Sequence, residues 1–168
     1  MALDILRASV CTVDGFRISE TTDLKLPDIK LKTEKLFFGG SDGEIETDFG
    51  LQAMEAGIKL GAVNKKVMAQ VGLRPGVVKT FNFDGVTVSE ADGQVQGVNV
   101  RMTGKIRDDG PGAWKHGDKT EWDYKLMVRT YKLTIGGAVM YEIDPLNFIR
   151  IIDGVDQLAE MRAAMMMD

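Results

Sequence analysis

From residue 29 to residue 60 apolar and polar side chains alternate along most of the chain, and this period of two predicts one long antiparallel hairpin. Its first arm covers 29–38. Gly39-Gly40-Ser41-Asp42-Gly43 then supplies residues that tolerate positive φ, so the tip is placed there. The second arm starts with Ile45, Thr47 and Phe49 on one face and Glu44, Glu46 and Asp48 on the other, and it runs on to Leu60. Strands are usually about five or six residues long. Arms twice that length project from a small domain, and their open edges invite pairing with another chain.

The same reading covers the rest of the chain. Asp14-Gly15 predicts a tight turn between 10–13 and 16–18, and Leu24-Lys25-Leu26-Pro27 leads into the long arm. Asn64 is placed to cap a short helix over 65–71, stapled by Val63 and Met68 and closed by Gly72. A helix of two turns cannot stand alone, so its Val67 and Val71 face must pack on a sheet.

Strands are predicted at 77–83 and 86–88, with Asp84-Gly85 between them as a turn. Asp92-Gly93 turns the chain into 94–106, where Val98, Val100, Met102 and Ile106 share a face. Trp122, Tyr124, Leu126 and Val128 line one face of a second long strand over 121–135. The segment 108–118 is dense in turn residues and is read as the connection between these two strands. Short strands follow at 138–143 and 148–152. Val155, Leu158, Met161 and Met165 then recur at helical spacing and predict a C-terminal helix.

Together these elements predict a single domain over 1–168 that is mainly β. It is an antiparallel sandwich or barrel with long hairpins, one short packed helix and a C-terminal helix. The 168 residues suffice for one core and are too few for two ordinary domains. No apolar run approaches the roughly 20 residues that cross a bilayer. The start Met1-Ala2-Leu3-Asp4 lacks the pattern of a signal peptide, so the expectation is a soluble, cytoplasmically made chain with no membrane binding.

A formal charge of −4 and the lack of any basic block argue against a dedicated nucleic-acid binder, whose affinity comes from Lys and Arg. Cys11 is the single cysteine, so no intrachain disulfide and no cysteine metal site can form. Asp42-x-Glu44-x-Glu46-x-Asp48 spaces carboxylates as a calcium loop does. The sixth and twelfth positions, however, are Thr47 and Ala53 where such a loop needs Gly and Glu. Neighbouring acids on one strand face are not opposed across a cleft, as glycoside hydrolysis requires. The Gly39-Gly40 turn has no Lys-Ser behind it, and His116 has no visible catalytic partner. No enzyme, cofactor or metal is expected. What remains is a row of acids, either a solvated face or the wall of a channel.

Three stretches bear on that choice. The first is Leu36-Phe37-Phe38-Gly39-Gly40-x-Asp42-Gly43 with Asp48-x-Gly50-Leu51-x-Ala53-Met54-Glu55-Ala56. The second is Gly112-x-Trp114-Lys115-x-Gly117-Asp118-Lys119. The third joins Tyr131-Lys132-Leu133 to Tyr141-Glu142-Ile143-Asp144-Pro145-x-Asn147 and Gly154-Val155-Asp156-Gln157-Leu158-Ala159-x-Met161-Arg162. In this order, over about 24–162, the chain resembles the major tail tube proteins of contractile-tailed phages and R-type pyocins.

The resemblance implies a structural virion protein of the tail-tube fold. Such subunits form hexameric rings that stack into a hollow tube inside a contractile sheath, a conduit for DNA ejection. The implied partners are other copies of the chain, the sheath, a baseplate or tube initiator, a tail terminator, a tape measure protein in the lumen, and DNA in transit only. Assembly would take place in the host cytoplasm.

Within that picture Glu44, Glu46, Asp48 and Glu55 are expected to line the lumen or contact the ring neighbour. Glu55 has the opposite strand parity and joins the other three only if the strand kinks near Gly50. Gly39, Gly40, Ser41, Asp42 and Gly43 at the tip, with Asp108, Asp109 and Trp114 in the second connection, are the candidates for ring stacking. Two alternatives stand beside this reading. They are a tube protein of the type VI secretion kind and a monomeric β-sandwich binding module.

Overall fold

The computed structural model describes residues 3–167. Among these, ten strands form one antiparallel sheet and two more form a separate ribbon. The order β12-β11-β10-β9-β8-β7-β1-β2 runs from β12 (Val155–Asp156), β11 (Ile149–Ile152) and β10 (Ala138–Asp144) through β9 (Trp122–Ile135) and β8 (Val95–Pro111). It continues through β7 (Lys79–Ser89) to β1 (Asp4–Val13) and β2 (Phe16–Ile18). The expected hairpin at Asp14-Gly15 is present, with φ of 46° and 88° at these two residues.

β9 is long enough to serve two partners along one edge. Tyr131–Ile135 of this strand pair with β10, while Trp122–Val128 pair with β6 (Met54–Leu60). β6 in turn pairs with β3 (Thr21–Lys25). The opposite edge of β9 pairs with β8 almost end to end. The alternation read from the sequence is therefore physical: Val100, Met102 and Ile106 share a buried face with Trp122, Tyr124, Leu126 and Val128. That face also collects Val13, Phe81, Leu60 and Ile143, all 1% exposed or less. This face holds the core of the subunit. Each such side chain contributes roughly 1.5–3 kcal/mol of transfer free energy.

Four expectations need correction. Asp84-Gly85 is no turn: β7 runs unbroken through both residues, because β1 and β8 ladders hold it on either side. The Asp-Gly pair favours a turn only where neighbours leave the backbone unpaired. The hairpin over 29–60 is also not continuous. β4 (Leu31–Leu36) pairs with β5 (Ile45–Leu51), but the chain then turns at Gly50, whose φ is 95°, and leaves strand geometry at Gln52-Ala53. Beyond that break Met54, Ala56, Ile58 and Leu60 are all buried, so the core captures β6 and parts it from β4.

The third correction concerns the helices. α1 (Lys65–Met68) is shorter than expected, although the Asn64 side chain does accept from the N–H groups of Lys66 and Val67. Val67 is buried and Val71 packs against the core, as the sequence required. α2 (Ala159–Ala164) spans six residues, and Val155 belongs to β12 instead. Arg162 holds α2 in place by donating to the Phe148 carbonyl at 3.0 Å and to Asp156 at 2.7 Å. Val155, Met161 and Met165 stay exposed, so most of the apolar stripe is left uncovered in this subunit.

Fourth, Asp108 and Asp109 lie in β8, which extends to Pro111. The true connection is residues 112–121.

Candidate assembly surfaces

The β4–β5 ribbon stands clear of the core. Its register sets Glu34 opposite Thr47 and Leu36 opposite Ile45 on one face, and Lys35 opposite Glu46 and Thr33 opposite Asp48 on the other. Glu44, Glu46 and Asp48 therefore do share a face, where the Thr33 hydroxyl donates to Glu46 at 2.6 Å. Ile45 and Phe49 on the reverse face are each more than half exposed, as are Phe37 and Phe38 near the tip. The tip is tight: Ser41 N–H donates to the Phe38 carbonyl at 3.1 Å, and its hydroxyl donates to the Gly43 carbonyl at 2.8 Å. A Cβ added at Gly39, Gly40 or Gly43 would meet nothing within 4 Å, so nothing in the subunit covers this turn.

Glu55 sits elsewhere. It lies on β6, on the solvent face of the four strands β3, β6, β9 and β8, where its carboxylate meets Arg107 at 3.0 Å. The ladder register shifts between Ile106 and Asp108, and this bulge aims the guanidinium across β9. Arg107 also binds Asp108 at 2.9 Å, and that hydrogen bond holds the Asp108 carboxyl below its ordinary range. The face is mixed in sign. Asp23, Glu55, Asp108 and Asp123 stand among Lys25, Lys59, Lys105, Arg107 and Lys125. Near its β3 side these residues border an open groove with Asp28, Lys30 and Gln52.

The four strands of this face leave two backbone edges open among the described residues. β3 pairs with β6 alone. β8 loses β7 after Gly104, so Lys105–Pro111 pair only with β9. The sequence signalled neither edge, since alternation reports burial of a face and says nothing of the lateral partner.

In the connection, Trp114 is 66% exposed and meets Trp122 edge to face, with ring centroids 5.8 Å apart. The Trp122 indole N–H donates to the Asp109 carboxylate, which ties Asp109 to its own subunit. Cys11 is 2% exposed, and burial pushes its thiol up to about 12, so no partner protein can reach it for a disulfide.

Solved structures share this architecture. A chain in the sheath–tube complex of an extracellular contractile injection system, PVC, in the extended state superposes with a TM-score of 0.54 at 12% identity, over 75% of this chain and 87% of that one. A chain in the anti-feeding prophage tube-terminating cap gives 0.54 at 15% identity, over 76% and 86%. The fold is thus shared with chains of contractile injection systems.

Sequence comparison goes further. The profile described as phage tail tube protein FII matches residues 4–165. The chain is 32% identical over 152 residues to the major tail tube protein of Serratia phage KSP20, covering 89% of this chain and 87% of that protein. It is 29% identical over 140 residues to the tail tube protein of Escherichia phage P2, covering 82% and 81%. The chain belongs to the phage tail tube protein FII family.

Proposed function

We propose that this chain is the repeating subunit of an inner tail tube, closing into hexameric rings that stack inside a contractile sheath and conduct DNA during ejection. The observation that carries the reading is the pair of open edges on β3 and β8. They flank one antiparallel sheet of four strands, so β3 and β8 run in opposite directions. In a head-to-tail ring every subunit keeps its direction along the axis. β3 of one copy then meets β8 of the next in antiparallel sense, and the sheets join into a closed barrel without edges.

On this reading Glu55 belongs to the lumen wall, and Glu44, Glu46 and Asp48 serve contacts between subunits. The wall alternates in sign, and Arg107 is engaged by Glu55 and Asp108. DNA in transit meets no continuous basic track to bind. A tape measure protein would fill the lumen before ejection. A baseplate initiator and a terminator would bound the tube, and the exposed Met161 and Met165 are offered to the sheath. The tip at Gly39–Gly43 and the connection bearing Trp114 reach toward adjacent rings.

Negative-stain electron microscopy of the concentrated protein, alone and with a baseplate, tests this. Rings or hollow tubes are expected. Only monomers, even with a baseplate to nucleate growth, would overturn it.

A further inference from the structure

Two exposed patches of this chain carry opposite charge on apolar ground. The outer end of the β4–β5 ribbon, residues 37–49, holds Asp42, Glu44, Glu46 and Asp48, with Lys35 set opposite Glu46 on the same face. All four are exposed, and none forms an ion pair among the described residues. Phe37, 68% exposed, and Phe38, Ile45 and Phe49 stand among them.

Residues 63–78 present the reverse. Lys65, Lys66 and Arg74 are exposed, likewise without ion pairs among the described residues, and the segment contains no Asp or Glu. Leu73, 75% exposed, and Val63, Met68 and Val78 lie bare beside them. This surface is well founded, since the Asn64 cap fixes the start of α1 and the buried Val67 anchors it.

Each patch alone is unfavourable. One sign predominates in each patch, and large apolar side chains face water at roughly 25 cal/mol per Å². Contact between the two would relieve both at once. We infer that the end of the β4–β5 ribbon of one copy seats on the 63–78 surface of a second copy, with its carboxylates meeting Lys65, Lys66 and Arg74. Four acids with Lys35 among them face three bases, so the charges nearly balance. The two surfaces differ, so the contact is heterologous, and every copy offers both halves and can pass the contact on. This rests on the tube reading and adds to it the receiving surface for the ribbon.

The experiment is a charge reversal with rescue. Lys65→Glu/Lys66→Glu/Arg74→Glu changes only exposed positions and should melt like the unaltered chain while losing tubes in electron micrographs. Adding Asp42→Lys/Glu44→Lys/Glu46→Lys to the same chain should bring tubes back. Carbodiimide treatment of unaltered tubes should give intermolecular cross-links from Lys65 or Lys66 to Glu44 or Glu46, read by mass spectrometry. Tubes of normal abundance from the first variant, or an absence of those cross-links, would overturn the contact and leave the tube reading standing. Failure of the unaltered chain to assemble even on a baseplate would sink both.

Discussion

Glu55 and Arg107 are 52 positions apart, yet their carboxylate and guanidinium meet at 3.0 Å across the face of the intervening strand β9. The pair exists because β6 and β8 flank the same stretch of β9 and because a bulge turns Arg107 toward it. Both side chains are close to half exposed, and ion pairs in such settings are weak and screened by salt. A double-mutant cycle with Glu55→Gln and Arg107→Gln, followed by urea unfolding, should give a small coupling that vanishes in molar salt. A large, salt-insensitive coupling would mean that the pair is shielded from solvent.

A steric constraint lies between β8 and β9 nearby. A Cβ at Gly104 would clash with the Met127 carbonyl oxygen, a backbone atom that cannot swing away. Gly104→Ala should therefore cost at least about 1–3 kcal/mol, the usual range for overpacking. Thermal unfolding followed by circular dichroism would read this as a Tm lower by several degrees. An unchanged Tm would mean that the β8–β9 ladder spreads more freely here than its register implies.

Much of this was legible in the residues themselves. A strand with one buried face writes its burial as alternation, so Val100, Met102 and Ile106 and their partners on β9 were readable. The Asn64 cap was readable because a side-chain acceptor just before a short helix has few other roles. Lateral partners were not readable. Residues 44–60 alternate on both sides of Gly50, and nothing in a period of two says that the first half pairs with β4 and the second with β9 and β3. The shared face of Glu44, Glu46 and Asp48 follows from parity. The Arg107 that meets Glu55 depends on a bulge, which adds one residue and leaves no mark on composition.

Acid should weaken the β1–β2 corner through Asp14. Its carboxylate accepts the Thr80 N–H at 3.0 Å and sits 3.1 Å from the Lys79 ammonium. The first of these contacts does most to hold its pKa below the ordinary value of 3.8, Lys79 adds to it, and partial burial opposes. A carboxyl depressed in the folded state stabilises the fold above its unfolded pKa, and that share is lost as pH falls through the folded value. Stability measured in urea should therefore drop below about pH 4. Asn at this site can still accept from Thr80 and tolerate the φ of 46°, but it cannot titrate. Asp14→Asn should be slightly less stable at neutral pH and fall less steeply in acid. A slope equal to that of the unaltered chain would assign the acid sensitivity to other carboxylates.

If the connection bearing Trp114 serves ring stacking, as proposed, changing this residue should separate folding from assembly. Its edge-to-face contact with Trp122 is of a kind that contributes about 0.5–1.5 kcal/mol, yet two-thirds of its surface remains open to water at 66% exposure. An indole covering Trp122 only for the sake of the core would gain little from that position. An indole reaching toward another ring needs it. Trp114→Ala should cost about 1 kcal/mol or less in urea unfolding, because Trp122 keeps its hydrogen bond to Asp109. The same variant should form fewer and shorter tubes at equal protein concentration. If instead the stability loss is large and the tubes are normal, Trp114 is a cover for its own subunit, and the stacking contacts must be sought at the ribbon tip alone.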